Sequence, residues 1–234
     1  MCLNGCDRPA NVCLCKELPS SPLLTSTQIV ILHHPHELRH KLATVPILAK
    51  CITNCETLIG RRLRSGKSPL LDSLYSEAVN DSLRPRRAIF LFPGTDSVNL
   101  DEIEIKDPLV LIVFDGTWKH AKEMVISSLP FLSKFATKVC LKYDTRVDGE
   151  NIFGSELLLR KEPFSGCMST IEAVARSLRV LEPDETCGVE IEERLISVLR
   201  AMVRFQSIYT KPIKPRPKLA KKGKKDKKIE KCEL

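Results

Sequence analysis

The sequence predicts an α/β domain built on a mostly parallel sheet with helices on both faces. Three observations carry that expectation. Leu109-Val-Leu-Ile-Val-Phe114 is an unbroken apolar run rich in Val and Ile, the pattern of a strand buried on both faces. The period then changes: Ala121, Met124 and Val125 recur at helical spacing, with Lys119, Lys122 and Glu123 left for solvent, so a helix follows a sharp turn at Asp115-Gly116. The same alternation of strand and helix recurs along the chain, without a Gly-x-Gly-x-x-Gly fingerprint or a P-loop.

In chain order, the first feature is a knot of thiols: Cys2, Cys6, Cys13 and Cys15 fall within fourteen residues. So short a loop has no core of its own, whereas four thiolates around zinc can fold one. Residues 1–20 therefore read as a small Cys-rich zinc knuckle, and ten cysteines in all argue for metal ligation plus core thiols rather than a disulfide scaffold. Gln28-Ile-Val-Ile-Leu-His33 is a short strand, and Pro35 suits the start of a helix running through Leu42 and Ile47 to Ile52, interrupted at Pro46. Four His lie between positions 33 and 40, with His36 and His40 at i, i+4, but no acidic partner set or HExxH pattern accompanies them, so they are not read as a metal site.

Arg61, Arg62, Arg64 and Lys67 form the densest basic cluster of the body, and Arg84, Arg86 and Arg87 a second one before the next strand. Either can be a solvated loop; together, flanking a strand edge, they suggest one phosphate-binding groove. Ala88-Ile-Phe-Leu-Phe92 is another buried strand, ended by Pro93-Gly94-Thr95, where backbone without side-chain bulk can approach a ligand. Thr137–Lys142 is a fourth strand. Ser169 with Glu172 three residues later is a capping box opening a helix through Ile171, Val174, Ala175 and Leu178. A last amphipathic helix spans Val189 to Ser207. The main domain is thus 21–210, followed by a Lys- and Pro-rich tail, 211–234, expected to be disordered.

At 43% apolar and 28% charged, with no apolar run near 18 residues, the composition is that of an ordinary globule with nothing to span a membrane. The N-terminus lacks a signal-peptide pattern and Lys-Cys-Glu-Leu is not a retention signal. Residues 211–234 hold eleven Lys/Arg against three Asp/Glu, which accounts for the whole +8 charge. The body is neutral, so the tail can add phosphate attraction or nuclear import while specificity rests on local patches. A cytoplasmic or nuclear protein is expected.

Several blocks carry a family resemblance: Asp115-x-Thr-Trp-x-x-Ala121; Leu159-Arg-Lys-x-Pro163 with Ser169-Thr-x-Glu-Ala173; Cys6, Arg8, Pro9, Cys13 and Cys15; and His34-Pro-x-Glu37 with Thr44. They resemble the DTW-domain family, the tRNA-uridine aminocarboxypropyltransferases, with Cys2 standing one residue earlier than the family pattern places its first thiol. The family is similar to the SPOUT class, which implies an α/β sheet with a C-terminal trefoil knot. The resemblance implies transfer of the 3-amino-3-carboxypropyl group from S-adenosylmethionine to N3 of a tRNA uridine. Asp115 would then take or orient the N3 proton, Thr117 fix the loop or bond the substrate, and Trp118 pack on the methionine portion. Pro93, Gly94, Leu159, Ser169, Thr170 and Glu172 would complete the cofactor pocket with Asp115 and Trp118. The clusters Arg61, Arg62, Arg64, Lys67 and Arg84, Arg86, Arg87 would hold RNA phosphates, and Cys2, Cys6, Cys13 and Cys15 a structural zinc. Two alternatives stand beside this: an RNA methyltransferase of the same fold with the cofactor turned, or a non-enzymatic RNA-binding protein.

Overall fold

The computed structural model describes residues 2, 5–40, 43–81, 86–103, 109–141 and 168–209. Among the described residues six strands form one sheet: β1 (Gln28–His33), β2 (Cys55–Ile59), β3 (Ala88–Leu91), β4 (Val98–Asn99), β5 (Val110–Asp115) and β6 (Ala136–Cys140). Their order is β2-β1-β5-β3-β6-β4, and every pairing is parallel. All six residues of β5 are buried, as expected for an interior strand covered on both faces.

The two faces sort by the two-residue period of a strand. Ile29 and Ile31 of β1 with Leu111 and Val113 of β5 point into one core layer. That layer is closed by helices α1 (Val45–Cys51), α4 (Thr170–Leu181) and α5 (Glu185–Ser207). Val30, Leu32, Val110, Ile112 and Phe114 point the other way, against α2 (Pro69–Asn80) and α3 (Trp118–Leu132). The Cys-rich segment is stitched to the first layer: Leu14, fully buried, joins its core, and Arg204 of α5 pairs with Glu17 at 3.4 Å.

The helix expected to begin at Pro35 does not form there. A 3₁₀ turn, Glu37–Arg39, follows β1, and α1 starts only at Val45 with Pro46 in its first turn. Pro46 opens that helix rather than interrupting it, because the first helical residues have no intrahelical use for an N–H. The last helix starts at Glu185, earlier than Val189, because Asp184 caps it by accepting from the Thr186 N–H at 2.9 Å. The tail, the Leu157–Pro163 block and any knot through it lie outside the described residues.

Helices α4 and α5 approach each other closely at Gly188. A Cβ built there would lie 2.7 Å from the Arg179 carbonyl oxygen, a backbone atom that cannot swing aside. Gly188→Ala is expected to lower unfolding stability by about 1–3 kcal/mol, measurable by urea denaturation; no loss would mean the two helices can part freely.

Candidate active site

Chain connectivity places a topological switch point above β1 and β5. From β1 the chain runs to α1, on one face, and on to β2; from β5 it runs to α3, on the opposite face, and on to β6. Loops leaving two neighbouring strands in opposite directions make the switch point where parallel α/β sheets bind ligands. Asp115 ends β5 at that point, and in the ladder it stands opposite His33, the last residue of β1.

Asp115 is 8% exposed and is held at both carboxylate oxygens. His33 Nδ1 lies 2.6 Å from Oδ2, and the Thr170 hydroxyl donates to Oδ1. Thr170 is the first residue of α4, whose N-cap Ser169 accepts from the Glu172 N–H at 3.3 Å. Three segments far apart in sequence therefore meet on one carboxylate, delivered from the end of a strand and the start of a helix. Glu172, wholly buried, pairs with Arg176 one turn on at 3.2 Å.

Thr117 caps α3, its hydroxyl accepting from the His120 N–H at 3.4 Å. Trp118 follows as the first helical residue, half-buried, with its ring 6.1 Å from that of Phe92 at the end of β3. Pro93 and Gly94 continue from there. A Cβ on Gly94 would meet the tips of Lys138 and Asp96, an ion pair at 2.5 Å; these are flexible ends that can move. At Gly116 the neighbours are less able to move: a Cβ would come 3.2 Å from the His120 Cβ and 3.4 Å from the His34 Cβ. That is where backbone without bulk lets the end of β1 approach α3. Leu159 lies outside the described residues.

A histidine group stands beside the switch point, from the loop after β1 and the first turn of α3. His34 and His120 stack with ring centroids 3.9 Å apart and planes 10° apart, and His36 meets both edge-on. Their ligand nitrogens lie within 4.8 Å of one another. Imidazole lone pairs lie in the ring plane, so one ion cannot meet two parallel stacked rings unless one of them turns. Burial first, then His120, His36 and Arg61, keep the His34 imidazole below its ordinary range, with Glu37 opposing. His120 comes from a different segment from the other two, so the sequence did not reveal the group.

Arg61, Arg62, Arg64 and Lys67 are all exposed in the loop after β2, on the same edge of the sheet as Asp115. The loop is pinned to α3: the Leu63 N–H donates to the Ser128 hydroxyl at 2.8 Å, and Ser127 donates to the Arg61 carbonyl at 3.1 Å. Arg86 and Arg87 stand at the opposite edge. The Arg87 carbonyl accepts from the Val110 N–H at 2.9 Å, at the start of β5, about 16 Å of strand away from Asp115. They line a cavity of about 420 Å³ with Leu74, Asp81 and Lys134. The single groove expected from both clusters is therefore corrected to two separate places, because the clusters precede and follow parallel strands. Arg84 lies outside the described residues.

The four N-terminal thiols converge. Cys2 Sγ lies 3.2 Å from Cys13 and 3.5 Å from Cys15, and Cys6 lies 3.7 Å from Cys13. Tetrahedral zinc thiolates need S···S separations of about 3.8 Å, so the four residues could hold a metal, and Cys2 stands with the other three despite its spacing. Burial works to raise the Cys6 thiol but is outweighed by the backbone at Leu14 and Arg8 and by Cys15 and Cys13, leaving it at about 6. Burial and the other thiols push Cys15 up to about 12.

A parallel α/β sheet with an acidic residue, a threonine and an indole delivered at its switch point is the layout on which open α/β proteins bind ligands. The chain belongs to the DTW domain family, whose profile matches residues 1–207. It is 49% identical to a tRNA-uridine aminocarboxypropyltransferase A of Arabidopsis thaliana, over 94% of this chain and 86% of that one. It is 32% identical to a tRNA-uridine aminocarboxypropyltransferase 2 of Macaca fascicularis, over 86% of this chain and 62% of that one, and 30% identical to the Drosophila melanogaster protein of the same name, over 86% and 73%. No solved structure matches the chain.

Proposed function

We propose that this chain transfers the 3-amino-3-carboxypropyl group of S-adenosylmethionine to N3 of a uridine in tRNA. The observation that supports it most is Asp115, buried at the switch point, in a chain that shares nearly half its residues with a relative bearing that activity's name.

In this reading the residues place and the substrates react. Uridine N3 loses its proton, the nitrogen lone pair attacks the methionine γ-carbon, and the C–S bond breaks with its electron pair returning to sulfur. Methylthioadenosine leaves, and Asp115 takes or orients the N3 proton, a role typically worth about 10²–10⁴-fold. Holding nitrogen, carbon and sulfur in line is the larger task. Trp118 offers an indole face to the sulfonium and the methionine portion, and the cap of Thr117 fixes where that indole starts. Pro93, Gly94, Ser169 and Thr170 supply the backbone and hydroxyl groups around the nucleoside and amino-acid ends. The exposed Arg61, Arg62, Arg64 and Lys67 hold tRNA phosphates beside the target base, which must be unpaired for N3 to be reached.

The test is incubation of the purified chain with S-adenosylmethionine and tRNA from cells lacking it. Methylthioadenosine and 3-(3-amino-3-carboxypropyl)uridine should form together; S-adenosylhomocysteine instead would make the chain a methyltransferase, and neither product would leave only RNA binding.

The thiol cluster is proposed as a structural zinc site. One zinc per chain is expected by atomic emission after purification, and a strong chelator should lower the melting temperature without oxidant. A metal-free protein of unchanged melting temperature would remove zinc from the fold.

A further inference from the structure

We propose that His33 is a positioning residue for the reaction, fixing the Asp115 carboxylate from the neighbouring strand; this rests on the reading of Asp115 as the carboxylate that handles the substrate proton. His33 ends β1, whose four preceding residues are all apolar and all buried. It is 2% exposed, and its one side-chain hydrogen bond among the described residues runs from Nδ1 to Asp115 Oδ2 at 2.6 Å. Taking a ring with two polar nitrogens out of water for a single partner is costly, which points to a task rather than to filling space.

The ladder explains how the two residues meet. β1 and β5 are parallel and in register, Ile29 with Leu111, Ile31 with Val113, His33 with Asp115. Residues paired in this way project to the same face, so the strand pairing itself brings imidazole to carboxylate. The backbone is tied at the same level: the His34 N–H donates to the Asp115 carbonyl at 2.9 Å, and the Gly60 N–H to the His33 carbonyl at 3.1 Å.

The ring's other nitrogen fixes its form. His33 Nε2 is enclosed with no hydrogen-bond partner among the described residues. An N–H there would be a buried donor without an acceptor, the expensive case; a lone pair is cheaper. The arrangement is best satisfied by the Nδ1–H tautomer, with Nδ1 donating to Asp115 Oδ2. With the Thr170 hydroxyl on Oδ1, each carboxylate oxygen has one donor and one lone-pair direction still open. With a donor on each oxygen the carboxylate is held against rotation, and one acceptor position per oxygen is left for a substrate. Such orienting partners typically contribute about tenfold to hundredfold to the group they hold.

The experiment compares His33→Ala, His33→Asn, His33→Leu and Asp115→Asn in tRNA-dependent methylthioadenosine release. His33→Ala should lower kcat about 10–100-fold while KM for tRNA and for S-adenosylmethionine stay within about threefold. His33→Asn, whose amide N–H₂ stands near the former Nδ1, should recover most of that loss, and the similarly sized but apolar Leu should not. Asparagine and leucine impaired alike, or alanine unimpaired, would overturn the inference. If Asp115→Asn is inactive while His33→Ala is not, only this inference falls; if Asp115→Asn turns over normally, the reading of Asp115 falls with it. Nitrogen NMR of the unmodified protein gives an answer independent of any variant's folding: the His33 ring should show a protonated Nδ1 and a bare Nε2, and the reverse pattern would rule the proposal out.

Discussion

Replacing Asp115 by asparagine lowers turnover about 10²–10⁴-fold and leaves the protein folded. The carboxylate sits at the end of an interior strand with the His33 ring and the Thr170 hydroxyl on its two oxygens. Asparagine keeps the shape and one acceptor but cannot take a proton, and its amide N–H₂ must face one of those two donors. The loss should fall on kcat, because the flat amide still fills the same place. Methylthioadenosine release with tRNA measures it, and circular dichroism checks the fold. Turnover within about threefold of the parent would take the carboxylate out of the chemistry.

Replacing Leu14 by alanine lowers unfolding stability by about 2–5 kcal/mol. Leu14 is 0% exposed and lies between Cys13 and Cys15, with its carbonyl accepting from the Glu17 and Leu18 N–H groups at 2.9 and 3.0 Å. Its side chain enters the core layer shared by β1, α4 and α5, so truncation leaves a hole in the main domain and loosens the thiol loop with it. Urea denaturation followed by circular dichroism reads the change. A loss below about 1 kcal/mol would mean the segment stands on its own thiols and contributes little to the domain.

The parts of this fold that announced themselves are the ones whose residues repeat a pattern. β1, β3 and β5 are near-continuous apolar runs, and Ser169 with Glu172 marked the start of α4. β2 did not show, because Cys55–Ile59 is an edge strand with no fully buried residue and no apolar run to betray it. α2 carries the usual start signal, Ser68 as its cap and Pro69 opening it, which the reading of the sequence passed over. At the site, the motif pointed to Asp115, Thr117 and Trp118 from neighbouring letters. His33 and the contact of His34 with His120 depend on which strand lies beside which, and strand order is a long-range property that local periodicity does not encode. The separation of Arg86 and Arg87 from Arg61 arises the same way: only the parallel direction of the strands sends one cluster to each edge.

A parallel ladder pairs residues one for one and holds no slack. If β1 slid by a single position against β5, Leu32 would come beside Asp115 and the imidazole would swing to the opposite side of the sheet. Insertions or deletions inside either strand should therefore silence the protein even when it still folds.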